Sequence, residues 1–183
     1  MTEYTAEMHH SRETLNRFIR VQYDTFEFGR KAILFAAAVG LILFGIAKAA
    51  AAALLSVICL IGGCLLLTNI DAKAKSVADG VAEAMKGKYP SLQYSFSDSG
   101  FRDGEGKEEV PYSRLFRLMA DEKYLYLFIS KASGYMLELS TVSGEADAEG
   151  LKSFLSGKTG LKWLRPVTLM NFNIKDLIAM LRK

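Results

Sequence analysis

Residues 32–70 hold a single charged side chain, Lys48, in a chain where 23% of residues are charged. A small soluble domain has no core able to absorb so long an apolar run, whereas a membrane-spanning helix takes about 20 apolar residues. The run therefore predicts two spans, residues 31–47 and 50–70, with Lys48 in the turn between them. One tilted span would leave nearly half of these residues without an apolar environment. The run starts well inside the chain and is too long for a secretory leader.

Charge on the flanks sets the expected orientation. Arg17, Arg20, Arg30 and Lys31 precede the first span, and Lys73, Lys75, Lys86 and Lys88 follow the second. By the positive-inside rule, a hairpin in the inner (plasma) membrane then has both termini in the cytoplasm. No ionisable residue lies mid-span, so no proton relay or ion path is expected. Small residues recur at helical spacing, with Ala32, Ala36 and Gly40 in the first span and Ala52, Ser56 and Gly63 in the second. Such stripes let membrane helices approach closely. They serve either the hairpin's own seam or an oligomer face. The only cysteines, Cys59 and Cys64, lie within the run, so no disulfide framework or thiolate metal site is expected outside it.

Outside the run, a strand is expected over residues 2–8 with Tyr4, Ala6 and Met8 on one face. Ser11 then caps a helix carrying Leu15, Phe18, Ile19 and Phe26. Beyond the second span, Ala74, Val77, Ala78, Val81 and Met85 mark the apolar face of a helix ended by Gly87 and Pro90. From Leu92 the apolar period changes to two, and strands are expected at residues 92–96, 101–103, 108–110, 115–120, 124–130 and 135–140. A helix over 147–156, stopped by Gly157, closes the sheet. This is an α+β plan in four parts. Residues 1–10 form a strand joining the sheet, 11–88 the helical hairpin with its extensions, 89–163 a soluble domain, and 164–183 a tail.

The order of these elements, with Tyr94-Ser95-Phe96-Ser97-Asp98-Ser99-Gly100, Val110-Pro111-Tyr112-Ser113-Arg114-Leu115 and Ala148-Glu149-Gly150-Leu151-Lys152-Ser153-Phe154-Leu155, resembles the YcxB-like family of bacterial membrane proteins. The likeness runs from about residue 2 to residue 163. It implies a soluble part like the pleckstrin-homology (PH) superfold, a sheet or barrel of seven strands closed by a helix. The family supplies no catalytic residues. Tyr112 stands where it usually has tryptophan, and Ser140-Thr141 where many members have Pro-Lys.

No cofactor, metal site or catalytic constellation is legible. His9 and His10 are adjacent on an extended segment and face opposite ways. Asp103, Glu105, Glu108 and Glu109 lack calcium-loop spacing. Tyr124, Tyr126, Phe128 and Tyr135 fit sheet core better than a peptide groove. The net charge of +3 is scattered and gives no nucleic-acid footprint. Between residues 90 and 163 acids slightly outnumber bases, which argues against a phosphoinositide pocket within that segment.

The tail combines Arg165, Lys175, Arg182 and Lys183 with an apolar stripe of Ile174, Leu177, Ile178 and Leu181. That pattern fits a helix lying on an anionic leaflet or one docked on the protein. The expected role is a membrane-anchored, non-enzymatic interaction module with the lipid bilayer and a protein or peptide as partners. The alternative is a structural hairpin that forms homo-oligomers or joins a membrane complex or transporter.

Overall fold

The computed structural model describes residues 4–104 and 109–167. Strand β1 (Tyr4–His9) leads into helices α1 (Arg12–Phe26), α2 (Phe28–Lys48), α3 (Ala53–Asn69) and α4 (Ala72–Ala84). Strands β2 (Ser91–Phe96), β3 (Gly100–Asp103), β4 (Val110–Pro111), β5 (Arg117–Ala120), β6 (Tyr124–Phe128) and β7 (Gly134–Glu138) follow. Helix α5 (Asp147–Thr159) and the two-residue strand β8 (Trp163–Leu164) complete the described chain.

The four helices form an excursion that leaves the sheet and returns to it. Strand β1 pairs antiparallel with β2, from Tyr4 opposite Phe96 to His9 opposite Ser91, and the His10 amide donates to the Pro90 carbonyl at 3.1 Å. The alternation Tyr4, Ala6, Met8 is what buries β1 on one face. At the exit, Ser11 and Thr14 make a reciprocal cap. The Ser11 side chain accepts from the Thr14 amide at 3.2 Å, and the Thr14 hydroxyl accepts from the Ser11 amide at 2.8 Å. Two of the orphan amides at the start of α1 are thereby satisfied.

Helix α1 is apolar on two sides because it is packed on two sides. Leu15 and Ile19 meet Ala78 and Ala82 of α4, where alanines let the two axes approach. Phe18 and Phe26 turn the other way and stack on the sheet, with Phe18 5.6 Å from Phe128 and Phe26 5.7 Å from Phe116. The buried stripe of α4 is Ala74, Ala78 and Ala82. Val77, expected on that face, is 39% exposed, because the small residues take the contact.

Helix α2 and the run Ala53–Ala84 are each long and apolar enough to cross a membrane, and only 17% of the apolar window in each is buried within the protein. Ile33, Leu43, Ile46, Leu54, Ile58 and Leu65 all point outward, more than half exposed. An apolar surface of that extent is larger than a soluble monomer ordinarily leaves uncovered, and it suits lipid. The seam between α2 and α3 runs through Ala38 and Gly45 on one side and Ser56, Cys59 and Gly63 on the other. The Ser56 hydroxyl donates to the Gly45 carbonyl at 2.7 Å. Among the expected small residues, Ser56 and Gly63 lie in this seam and Ala32 and Ala52 are half-buried. Ala36 and Gly40 face outward instead, because the contact repeats every seven residues from Ala38.

Among the described residues the strands form two four-stranded sheets, ordered β1-β2-β3-β4 and β7-β6-β5-β8, and no ladder there closes them into a barrel. All pairings are antiparallel except β5 with β8. The first sheet stops at Pro111, which has no amide hydrogen to extend a ladder, and a 3₁₀ turn at Tyr112–Arg114 carries the chain across to β5. On the other side the sheets touch through the isolated Thr5–Ser143 bridge. The Thr141 hydroxyl also donates to the Glu7 carbonyl (2.9 Å) and accepts from the Glu7 amide (2.8 Å). Between the sheets, Tyr94, Phe96, Phe101, Tyr126, Phe128, Leu151 and Leu155 are almost wholly buried, each worth roughly 1.5–3 kcal/mol.

Helix α5 continues past Gly157 to Thr159 and ends at Gly160, which takes the left-handed conformation that terminates helices. Just beyond it, β8 was not anticipated. It is placed by its parallel pairing with β5 and by the Trp163 indole, which donates to the Lys152 carbonyl at 2.9 Å.

A side chain at Gly63 would meet the Ala38 carbonyl at 2.8 Å and Ile42 at 2.6 Å, whereas nothing lies within 4 Å at Gly40. Gly63→Val is expected to lower the stability of the detergent-solubilised protein by about 1–3 kcal/mol. Gly40→Val is expected to leave it within about 0.5 kcal/mol of wild type. Thermal unfolding of the two variants side by side checks both values.

Candidate functional site: a polar cleft between stalk and sheet

Helices α1 and α4 pack together as a stalk, and its end next to the apolar helices is held by charge. Lys31, in the first turn of α2, extends its ammonium between Asp24, near the end of α1, and Asp71, just before α4. Lys31 is 5% exposed and Asp24 9%, so the cation and one of its partners have both left water. Burial holds the Asp24 carboxyl above its ordinary range, an effect larger than the opposing pull of Lys31. Around this core Glu27 accepts from Lys73 at 2.6 Å and from Arg30 at 2.9 Å, and these bonds hold its carboxyl below the usual range. Lys73 also sits over the Tyr23 ring, 5.4 Å from its centroid.

A second cluster ties α1 to the sheet further from the apolar helices. Arg17 donates to Asp121 at 2.9 Å and to the Tyr126 hydroxyl at 3.1 Å, and that hydroxyl donates to Asp121 at 2.6 Å. Asp121 also accepts from the backbone amides of Lys123 and Tyr124, both at 2.9 Å. Burial alone would raise the Asp121 carboxyl, but these donors outweigh it and hold the group below the usual carboxylate range. Tyr126 and Phe128 are fully buried in the sheet core, with Tyr124 and Tyr135 half-buried at its margins, so this aromatic set forms core rather than a groove.

Between the two clusters lies a cleft of about 1460 Å³. Helices α1 and α4 form one wall, the β5–β6 turn with Arg165 and Pro166 forms the other, and Thr68, Asn69 and Asp71 line the end next to the apolar helices. The charges in it are of two kinds. Arg12 with Asp79 (3.1 Å) and Arg17 with Asp121 are paired across elements, and Asp24 and Asp71 are held by Lys31. Arg20, Lys75 and Arg165 also line the cleft, as do Glu13, Glu122 and Lys123, and none of these makes an ion pair among the described residues. Arg20, Lys75 and Arg165, none of them in a close ion pair, offer donors to an anion or a carbonyl-rich surface. No group of three or more His, Cys, Asp or Glu among the described residues is placed to hold a metal ion.

Arg165 is thus the one tail residue of the sequence-derived set that the structure describes, and it lines this cleft. Lys175, Leu177, Ile178, Leu181, Arg182 and Lys183 lie outside the described residues. The Lys31 lock was not legible from the flanking cations alone. The available signal was the acids Asp24 and Asp71, which bracket the apolar run and need a cation there. Comparison of the chain with protein-family models, with curated proteins and with solved structures found no match.

An acid whose folded value is depressed adds stability that is full above its unfolded value, about 3.9 for Asp, and is lost as pH falls through the folded one. Asp121→Asn is therefore expected to be less stable than wild type at neutral pH. The difference should shrink as pH drops below about 4. Chemical unfolding across that pH range checks the sign; a gap that widens toward low pH would contradict the assignment to Asp121.

Proposed function

We propose that this chain is a membrane-anchored, non-enzymatic interaction module of a bacterial inner membrane, with α2 and α3 as its spans and both termini in the cytoplasm. Its soluble part binds a protein or peptide partner. The observation that carries the reading is the cleft held between stalk and sheet, open to solvent, rich in charge and pinned at both ends by ion clusters. Because the Lys31 lock joins the stalk to the foot of the hairpin, the cleft keeps a fixed position relative to the apolar helices. A partner would meet it at a constant height above the bilayer.

Kinship with the YcxB-like family and a PH-like soluble fold belong to the same proposal. Their support is the order of elements: one N-terminal strand, a helical hairpin on extensions, further strands in two sheets, and a single helix after β7. The cytoplasmic orientation is supported by the basic flanks, including Arg20, Arg30, Lys73 and Lys75.

A photo-crosslinking amino acid at Glu122, on the rim of the cleft, is expected to give one discrete adduct in intact cells, containing the same protein in each repeat. The same group at Ser99, in the β2–β3 turn away from the cleft, should give none. Equal labelling at both positions, or none at either, would contradict a partner in the cleft.

The outward-facing Ala36 and Gly40 favour a second reading, a hairpin that assembles with copies of itself or with a membrane complex. Cys64 is exposed and Cys59 lies in the seam, so oxidative crosslinking of a Cys59→Ser variant reports on this directly. Disulfide-linked dimers in native membranes at low expression would support oligomers; a monomer under strong oxidant would count against a Cys64-facing interface.

A further inference from the structure

We infer that the membrane-proximal half of the cleft holds the phosphate of an anionic phospholipid headgroup, gripped by Arg20, Lys75 and Arg165. This goes beyond the partner-binding role and rests on the reading of α2 and α3 as membrane spans. Position is the first argument. Thr68 and Asn69, the last residues of the second apolar helix, line the cleft, and a span ending there puts that part of the cavity at headgroup depth.

Charge is the second. The three cations come from α1, α4 and the segment after β8, and no described carboxylate lies within ion-pair distance of them. Asp24, Asp71, Asp79 and Asp121 are already engaged, and Arg20 feels Asp24 only at longer range. In the membrane-proximal half Asp24 and Asp71 share the one cation Lys31, which leaves a single negative charge beside Arg20 and Lys75 with Arg165 across from them, whereas Glu13 and Glu122 line the other half, next to Arg12 and Asp121. The local balance therefore favours an anion. Arg20 and Lys75 stand on the same stretch of the packed α1–α4 pair, between the Arg12–Asp79 and Tyr23–Lys73 contacts, with Arg165 on another wall.

Size and chemistry agree. The cavity exceeds the roughly 300–1,000 Å³ of ordinary ligand sites, so it has room for a headgroup with its glycerol. Guanidinium groups pair with phosphate oxygens through two parallel bonds. A phosphodiester with an uncharged headgroup matches the spare cations, whereas a choline headgroup would bring a further cation among them.

Full-length protein, purified in mild detergent and stripped of lipid, is titrated with short-chain phosphatidylglycerol and followed by native mass spectrometry. Phosphatidylcholine and soluble glycerol phosphate are titrated in parallel. One phosphatidylglycerol should bind in preference to both. The variant Arg20→Gln, Lys75→Gln, Arg165→Gln should weaken it at least about tenfold. A control with the same loss of charge elsewhere, Lys86→Gln, Lys88→Gln, Lys162→Gln, should weaken it less than about twofold. The single Arg165→Gln change, at an exposed side chain, should give an intermediate loss and keeps the test readable if the triple variant folds poorly.

Equal weakening by cleft and control variants would overturn the site in favour of general surface attraction. Equal retention of phosphatidylcholine, or equally tight binding of glycerol phosphate, would overturn the choice of an anionic lipid. Carbonate extraction of the same strains separates the two readings. Loss of selectivity in a protein that stays in the membrane pellet counts against the headgroup site alone, whereas extraction of wild type into the soluble fraction counts against the anchor as well.

Discussion

A buried ammonium group cannot stand alone, and the architecture of this protein turns on where Lys31 finds its partners. Its two carboxylates belong to different segments, Asp24 near the end of α1 and Asp71 just before α4, while Lys31 itself begins α2. All three helix ends must therefore meet at one point. Removing one member of a buried pair typically costs about 3–5 kcal/mol, because the remaining charge stays out of water. Half-exposed Asp71 contributes less of this than Asp24, since water screens it. The hairpin enters the stalk in one arrangement because the alternatives leave Lys31 or Asp24 unpaired.

From that point the rest of the chain is carried by α1. One of its sides packs on the alanines of α4 and another on Phe116 and Phe128 of the second sheet, so the helix transmits the position of the hairpin to the strands. The Arg17–Asp121–Tyr126 cluster fastens its far part. The pairing of β1 with β2 closes the loop, at the cost of joining strands separated by the whole helical excursion. Such closure grows only slowly more expensive with length, and the preformed hairpin shortens the effective loop. The cleft is the space these constraints leave between the stalk and the β5–β6 turn.

Much of this was readable from residue types. The near absence of charge over residues 32–70 announced two apolar helices, and alternation in Tyr4-Thr5-Ala6-Glu7-Met8 announced the buried face of β1. The hairpin seam was harder. Alanine and glycine are abundant on several faces of α2, so Ala36 and Gly40 looked as suitable as Ala38 and Gly45, and only the facing Ser56 and Gly63 decide between them. Strand β8 is too short for any periodicity to reveal, and helix α5 runs through Gly157 because the left-handed turn is made at Gly160. The cleft was hidden for a different reason. Its spare cations come from three stretches far apart in sequence, all of them outside residues 90–163, so the charge of that segment alone pointed the other way.

The coupling of hairpin to sheet through Lys31 is tested most directly by pulsed electron–electron distance measurement in lipid. Spin labels would sit at position 48 in the hairpin turn and position 133 in the β6–β7 turn, with Cys59 and Cys64 replaced. A single narrow distance distribution is predicted, broadening markedly in Lys31→Met. Equal widths with and without Lys31, narrow or broad, would contradict the claim that this ion cluster orients the sheets on the apolar hairpin.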